Sequence, residues 1–216
     1  MHIQTKAGGM AYTNCYLILD ESTHAAALVD APENTTAGLL KLAKDQGYHL
    51  DYLILTHGHF DHVSDHKIVT DAFPPPQARV LIHRLDEPKL EHPERSEFPL
   101  PYIIPPRQAD GYLEDGQHLH IGSLDFLVLH TPGHCPGLVC LYCAKEKTAF
   151  VGDLLMAGSV GRDDLRDSDP AAHRASLARL MTLPDDTKVY SGHGPETTIG
   201  KERKRNSILR SWRIVS

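Results

Sequence analysis

Three histidines and an aspartate fall within six residues, His57, His59, Asp61 and His62, directly after the aliphatic run Tyr52-Leu-Ile-Leu55. Imidazole and carboxylate together suit zinc, iron or manganese, and without thiolate in the cluster a structural zinc finger is excluded. The His-x-His spacing in an extended turn points two imidazoles to one side, whereas the adjacent Asp61 and His62 diverge. One ion cannot easily take all four side chains. Two ions can, one on His57 and His59 and its neighbour on Asp61 and His62. Further along, His134 follows Pro132-Gly133, Asp153 follows Gly152 and His193 follows Gly192. His134 and His193 would supply a third imidazole to each ion, with Asp153 as a carboxylate between them. Glycine beside a ligand permits the close backbone approach that a crowded centre needs. The other histidines, among them His130 and His173, read as ordinary surface or core residues.

These side chains meet only if the elements before them end at one edge, and the pattern supplies such elements. Tyr16 to Leu19 and Ala25 to Val29 read as a hairpin through Asp20–His24, and Tyr52 to Leu55 as a strand ending at the histidine cluster. Leu124 to Leu129, Thr148 to Gly152 and Val189-Tyr190 are strands running into His134, Asp153 and His193. Between them, Asn34-Thr-Thr36 caps a helix with Leu39, Leu40 and Ala43 inward, and a shorter helix starts near Ser64 and ends before Pro74. Arg79 to His83 is a further strand, and Asp169-Pro170 opens a helix with Leu177, Leu180 and Met181 inward. Asp115-Gly116 and Gly122-Ser123 mark hairpin turns. From Asp86 to Asp110 six prolines erase any period, which predicts a long surface loop and a wall over the site. Arg162 and the segment Tyr102–Ile104 are weighed as substrate contacts against ordinary packing and surface pairing.

A chain of 216 residues predicts one domain over 1–216. Its 41% hydrophobic and 23% charged residues lie near the globular average, which argues against disorder. The net charge of -6 argues against nucleic-acid binding, and the run Lys201–Arg205 reads as a solvated helical face. No apolar run suits a membrane span and the N-terminus lacks a signal-peptide core, so a soluble cytoplasmic protein with a small-molecule substrate is expected. Four cysteines are too few for a disulfide framework. Cys140 and Cys143, three apart in a strand, point to opposite faces and share no ion.

On Thr-His-Gly-His-Phe-Asp-His (Thr56 to His62), His-Thr-Pro-Gly-His-Cys-Pro-Gly (His130 to Gly137), Val-Gly-Asp (Val151 to Asp153) and Ser-Gly-His-Gly-Pro (Ser191 to Pro195), the chain resembles the metallo-β-lactamase superfamily. The resemblance implies an α/β fold, a four-layer αβ/βα sandwich with the metal site along one edge, and support of that site by Asp30. The segments Gly158–Leu165 and Gly192–Arg203 are similar to glyoxalase II (hydroxyacylglutathione hydrolase) and its short single-domain relatives. Three departures stand out: Ser64-Asp65 where many members have Gly-Gly, Asp163 where threonine is usual, and Ser207 after Asn206. The helical domain that carries glutathione contacts in full-length glyoxalase II has no room here.

The expected activity is hydrolysis of an ester or thioester by a hydroxide activated at a dinuclear centre, with His57, His59, Asp61, His62, His134, Asp153 and His193 as ligands. Asp61 is the catalytic residue, orienting the nucleophile and relaying its proton. The metals are two divalent ions, zinc by preference, with iron or manganese as alternatives. The rivals are a lactonase of the same superfamily and a mononuclear iron persulfide dioxygenase using His57, His134 and Asp153. Ala157–Gly161 resembles a nucleophile elbow, but no apolar helical stripe follows it, so Ser159 is read as a turn residue.

Overall fold

Side chains alternate across each strand, and in the computed structural model, which describes residues 1–215, that alternation sorts them into three apolar clusters. In strand β2 (Thr13–Asp20), Cys15, Leu17 and Leu19 enter one cluster while Tyr16 and Ile18 enter the next. The first cluster lies between a sheet and the helices α1 (Thr36–Asp45) and α3 (His66–Ala72), through Leu39, Leu40, Ala43 and Val69. The second lies between two sheets. The third lies between the second sheet and the helices α5 (Pro170–Leu180), α6 (Ile199–Arg205) and α7 (Ser207–Ser211), through Leu177, Leu180, Ile199 and Leu209. The result is the four-layer αβ/βα sandwich of the metallo-β-lactamase fold.

The first sheet runs β1 (His2–Gly8), β2, β3 (Ala25–Val29), β4 (His49–Ile54), β5 (Arg79–Ile82) and β6 (Gly111–Tyr112), antiparallel to β3 and parallel from β3 onward. The second runs β14 (Thr197–Thr198), β13 (Lys188–Ser191), β10 (Thr148–Gly152), β9 (Val139–Cys143), β8 (Leu124–His130) and β7 (His118–Ile121). Strands β8, β10 and β13 point the same way, so their C-terminal ends share one edge. The sheets are stitched there by Val139 N donating to Thr56 O (2.9 Å) and Asn14 N donating to Gly192 O (2.7 Å). Cys140 and Cys143 face different clusters, as their offset predicts. Among the described residues no helix is long and apolar enough to cross a membrane.

Several expectations are corrected. The segment 86–110 is not all loop: it holds α4 (Glu87–Glu91) and a 3-10 turn (Pro93–Arg95). Pro88 and Pro93 sit in first turns, where a missing N–H costs nothing, so these prolines start helices rather than break them. Asp115-Gly116 is not a hairpin turn, because β6 belongs to the first sheet and β7 to the second. The helix expected near Ser64 is present as α3, and what the sequence does not reveal is the separate turn before it, α2 (Phe60–Val63). Ser159 opens β12 (Ser159–Val160), which pairs with β11 (Leu155–Met156); a hairpin stands where a nucleophile elbow needs a helix.

Asp65, one of the three departures, has a structural task. Its buried carboxylate accepts from the backbone N–H groups of Asn34 (3.2 Å), Thr35 (3.1 Å) and Thr36 (3.2 Å) and from Thr36 Oγ1 (2.8 Å). The α1 N-terminus is therefore capped from α3 across the fold, and Asn34 itself makes no cap. Asp65→Ala leaves these donors unpaired in the interior and is expected to destabilise the protein by about 2–3 kcal/mol, read as a lower denaturation midpoint at unchanged slope.

Candidate metal centre

Each predicted ligand follows a strand or begins the turn after it, and all seven converge. His57 and His59 lie beyond β4, Asp61 and His62 on α2, His134 between β8 and β9, Asp153 directly after β10 and His193 directly after β13. His134 Nε2 lies 2.9 Å from His59 Nδ1, and His57 Nε2 lies 3.1 Å from the same atom. Asp61 Oδ2 is 3.4 Å from both His62 Nε2 and His193 Nε2. Asp153 lies between: Oδ1 is 3.4 Å from His62 Nε2, and Oδ2 is 3.3 Å from His193 Nε2 and 3.6 Å from His134 Nε2. Three overlapping groups could each hold a cation: His57, His59 and His134; Asp61, His62 and His193; and His57, His62 and Asp153. The expected divergence of Asp61 and His62 is not found, because the helical turn of α2 replaces the extended turn and brings both side chains to one point.

The partners of the outer ring nitrogens explain why the inner ones carry lone pairs. His134 Nδ1 donates to Arg162 O (2.8 Å) and His193 Nδ1 to Ala11 O (3.1 Å), so the tautomer that binds a cation is fixed with its lone pair on Nε2. His62 Nδ1 faces Asp30 Oδ2 at 2.8 Å. Thr56 Oγ1 gives its proton to Asp30 (2.9 Å), which leaves it to accept from His57 Nδ1 at 3.1 Å. Asp30 thus holds the ring of His62 directly and that of His57 through Thr56. Such outer partners fix ring orientation and raise ligand basicity.

Close approach demands glycine at two places. A Cβ on Gly192 would lie 2.7 Å from His62 Cε1, and one on Gly152, whose φ is +47°, would lie 2.7 Å from Thr56 Oγ1. The chemistry of the donors fits a cation. His62 Nε2 and Asp153 Oδ1 are buried and lack hydrogen-bond partners, a costly arrangement that a positive ion between them relieves.

The electrostatics divide the site. Burial, reinforced by neighbouring imidazoles, pushes His57 well down and His59 to about 4, so these two rings are neutral at pH 7. In the other half burial opposes charging but loses. Asp61, Asp30 and Asp153 push His62 well up, and hydrogen bonds to Asp153 and Asp61 carry His193 to about 9. Burial is likewise outweighed at Asp61, whose carboxyl His62 and the hydrogen bonds of His193 and Thr13 bring down to about 2. In the metal-free protein at pH 7 protons therefore occupy His62 and His193 and must leave when a cation binds. Titrating metal-free protein with zinc at pH 7 is expected to release protons, and affinity for an ion at His193 to fall as pH drops below about 9. Calorimetry in buffers of different ionisation enthalpy reads the released protons; equal heats in all buffers would contradict the assignment.

A cavity of 330 Å³ opens beside His59, with Phe60 and Val63 of α2 on one side and the 86–110 segment as its wall, as the sequence predicts. Glu97 Oε1 accepts from Arg166 N (3.1 Å), joining that wall to the loop opposite. Arg162 itself pairs with Asp164, and only its carbonyl oxygen serves the centre. Ile104 packs into the first apolar cluster. Sequence reading missed Asp86. Its buried carboxylate accepts from Gly58 N (2.7 Å) and Gly137 N (2.7 Å), tying the His57–His59 loop to the His134 loop. An acid before a proline-started helix gives no local signal of such a role.

Comparison with known proteins agrees with this geometry. The family model for the metallo-beta-lactamase superfamily matches residues 8–193. Hydroxyacylglutathione hydrolase GloC of Haemophilus influenzae is 32% identical over 205 residues, 92% of this chain and 93% of that one. Among solved structures, the BLEG-1 B3 metallo-beta-lactamase superposes with a TM-score of 0.85 at 33% identity, covering 96% of this chain and 99% of its own. TTHA1623 in a di-iron-bound form gives a TM-score of 0.77 at 37% identity, covering 95% of this chain and 100% of its own.

Proposed function

The chain belongs to the metallo-β-lactamase superfamily, and from that premise we propose that it hydrolyses an ester or thioester, in the manner of a glyoxalase II, with two divalent ions held at the seven-residue cluster. The observation that carries the reading is Asp153, a buried carboxylate between two complete ligand groups. One ion would be held by His57, His59 and His134, the other by Asp61, His62 and His193, with Asp153 serving both. Zinc is the proposed metal, from the imidazole and carboxylate donors without thiolate. The di-iron relative makes iron the first alternative. When bound, such ions lower the pKa of a water towards 7 and polarise a carbonyl oxygen.

The chain's own residues do the rest. Thr13 Oγ1 donates to Asp61 Oδ2 at 2.6 Å and fixes the carboxylate plane, which leaves Oδ1 to orient the nucleophile and take its proton. Asp61 then passes the proton on to solvent, which resets the site. Asp30 and the carbonyls of Arg162 and Ala11 keep the histidines in the required tautomers. The cavity beside His59 receives the group next to the reacting carbonyl. Metal analysis with a panel of thioesters, lactones, β-lactams and persulfides tests the reading. Two ions per chain and chelator-sensitive thioester or ester cleavage are expected. One iron per chain with sulfur-dependent oxygen uptake would replace this reading by the persulfide dioxygenase, which leaves His59, Asp61, His62 and His193 idle.

A further inference from the structure

We propose that the cavity beside His59 is a subsite for an uncharged apolar group of the substrate, an alkyl or aryl chain joined to the scissile ester or thioester. The inference rests on the hydrolase reading above and adds the substrate class. Its 330 Å³ holds up to about ten non-hydrogen atoms at roughly 30 Å³ each. Phe60, Val63, Pro88, Pro93, Phe98 and Leu165 supply its apolar lining. The rings of Phe60 and Phe98 meet at 5.6 Å with a 53° tilt. Phe98 is 44% exposed, an aromatic face without a protein partner covering it, at a cleft where a ligand would bury it.

The charges in the wall argue against an anion inside. Lys89 contacts Asp167 Oδ2 (2.6 Å) and the buried Asp86 Oδ1 (3.2 Å), so one ammonium faces two carboxylates. A substrate carboxylate placed beside Lys89 would meet two carboxylates against one ammonium. The remaining cations, Arg95 and Arg166, are exposed at the rim, where water screens them. A charged peptide thiol such as glutathione therefore finds the remaining cations only at the rim, whereas an alkyl chain finds the apolar lining inside.

Two series of substrates for the metal-loaded protein distinguish which side of the carbonyl enters. One varies the acyl chain from acetyl to octanoyl on N-acetylcysteamine; the other keeps acetyl and lengthens a neutral alkyl thiol. In one of the two, kcat/KM is expected to rise by about fourfold per methylene, roughly 200-fold over four methylenes, until the cavity is full. Phe98→Ala should flatten that slope. Flat or falling values in both series, with S-lactoylglutathione cleaved best, would overturn the subsite while leaving the hydrolase reading in place. Calorimetric binding of uncleavable S-alkyl thioethers of N-acetylcysteamine separates the two ideas. Tighter binding with length, weakened by Phe98→Ala, supports the subsite even if no thioester is turned over, a result that would sink the reaction instead. No dependence on length would overturn the subsite.

Discussion

Replacing Asp153 by asparagine is expected to abolish both ion binding at full stoichiometry and hydrolysis. The carboxylate lies within 3.3–3.6 Å of His193, His62 and His134, so it belongs to both halves of the centre, and no other side chain does so with a negative charge. Burial resists its ionisation, yet the surrounding imidazoles hold its acidity well below the usual carboxylate range, so it is charged throughout the useful pH range. The amide keeps the shape and removes the charge. Metal catalysis supplies several kcal/mol of transition-state stabilisation, so kcat/KM should fall by about a thousandfold or more, with fewer than two ions retained per chain. Mass-spectrometric metal content and steady-state kinetics read both quantities. A variant that keeps two ions and near-normal turnover would show Asp153 to be a bystander.

The second large effect is expected at Asp30, which touches no reacting group. It is fully enclosed, accepts from Thr56 N at 2.8 Å, and orients His62. Its backbone is left-handed, φ 59°, a region asparagine tolerates and alanine does not, so Asp30→Asn is the cleaner variant. An amide cannot accept from Thr56 and His62 with both its atoms, and one donor is left facing another. Loss of an outer partner of this kind costs about 10–100-fold in metal affinity. A competition titration of metal-free protein against a chromophoric chelator should show the site that His62 serves loosened by that amount. Unchanged affinity at both sites would remove Asp30 from the account.

Much of the centre is legible in the chain because its ligands obey local rules. Thr148–Gly152 alternates cleanly between two buried faces and ends on glycine, so both the strand and the position of Asp153 follow. Asp169-Pro170 is a cap and a first-turn residue, and Asp169 Oδ1 does accept from Ala171 and Ala172 N–H. Strand β1 escapes notice because it lies at a sheet edge, half exposed, with glutamine and lysine among its residues and no apolar alternation to reveal it. Asp115-Gly116 signals a reversal but cannot say that the chain leaves one sheet for the other. Asp65 and Asp86 do their work through hydrogen bonds to residues 31 and 51 positions away, which no local period records. The adjacency of Asp61 and His62 misleads for a related reason: whether neighbours diverge depends on a four-residue helical turn too short to leave a pattern.

The most direct test of the account is a crystal structure of metal-loaded protein with diffraction recorded on either side of the zinc and iron absorption edges. Two anomalous peaks are predicted, one within bonding distance of His57 Nε2, His59 Nδ1 and His134 Nε2, the other of Asp61, His62 Nε2 and His193 Nε2, both beside Asp153. A single peak, or a centre from which Asp153 or His193 has turned away, would contradict it.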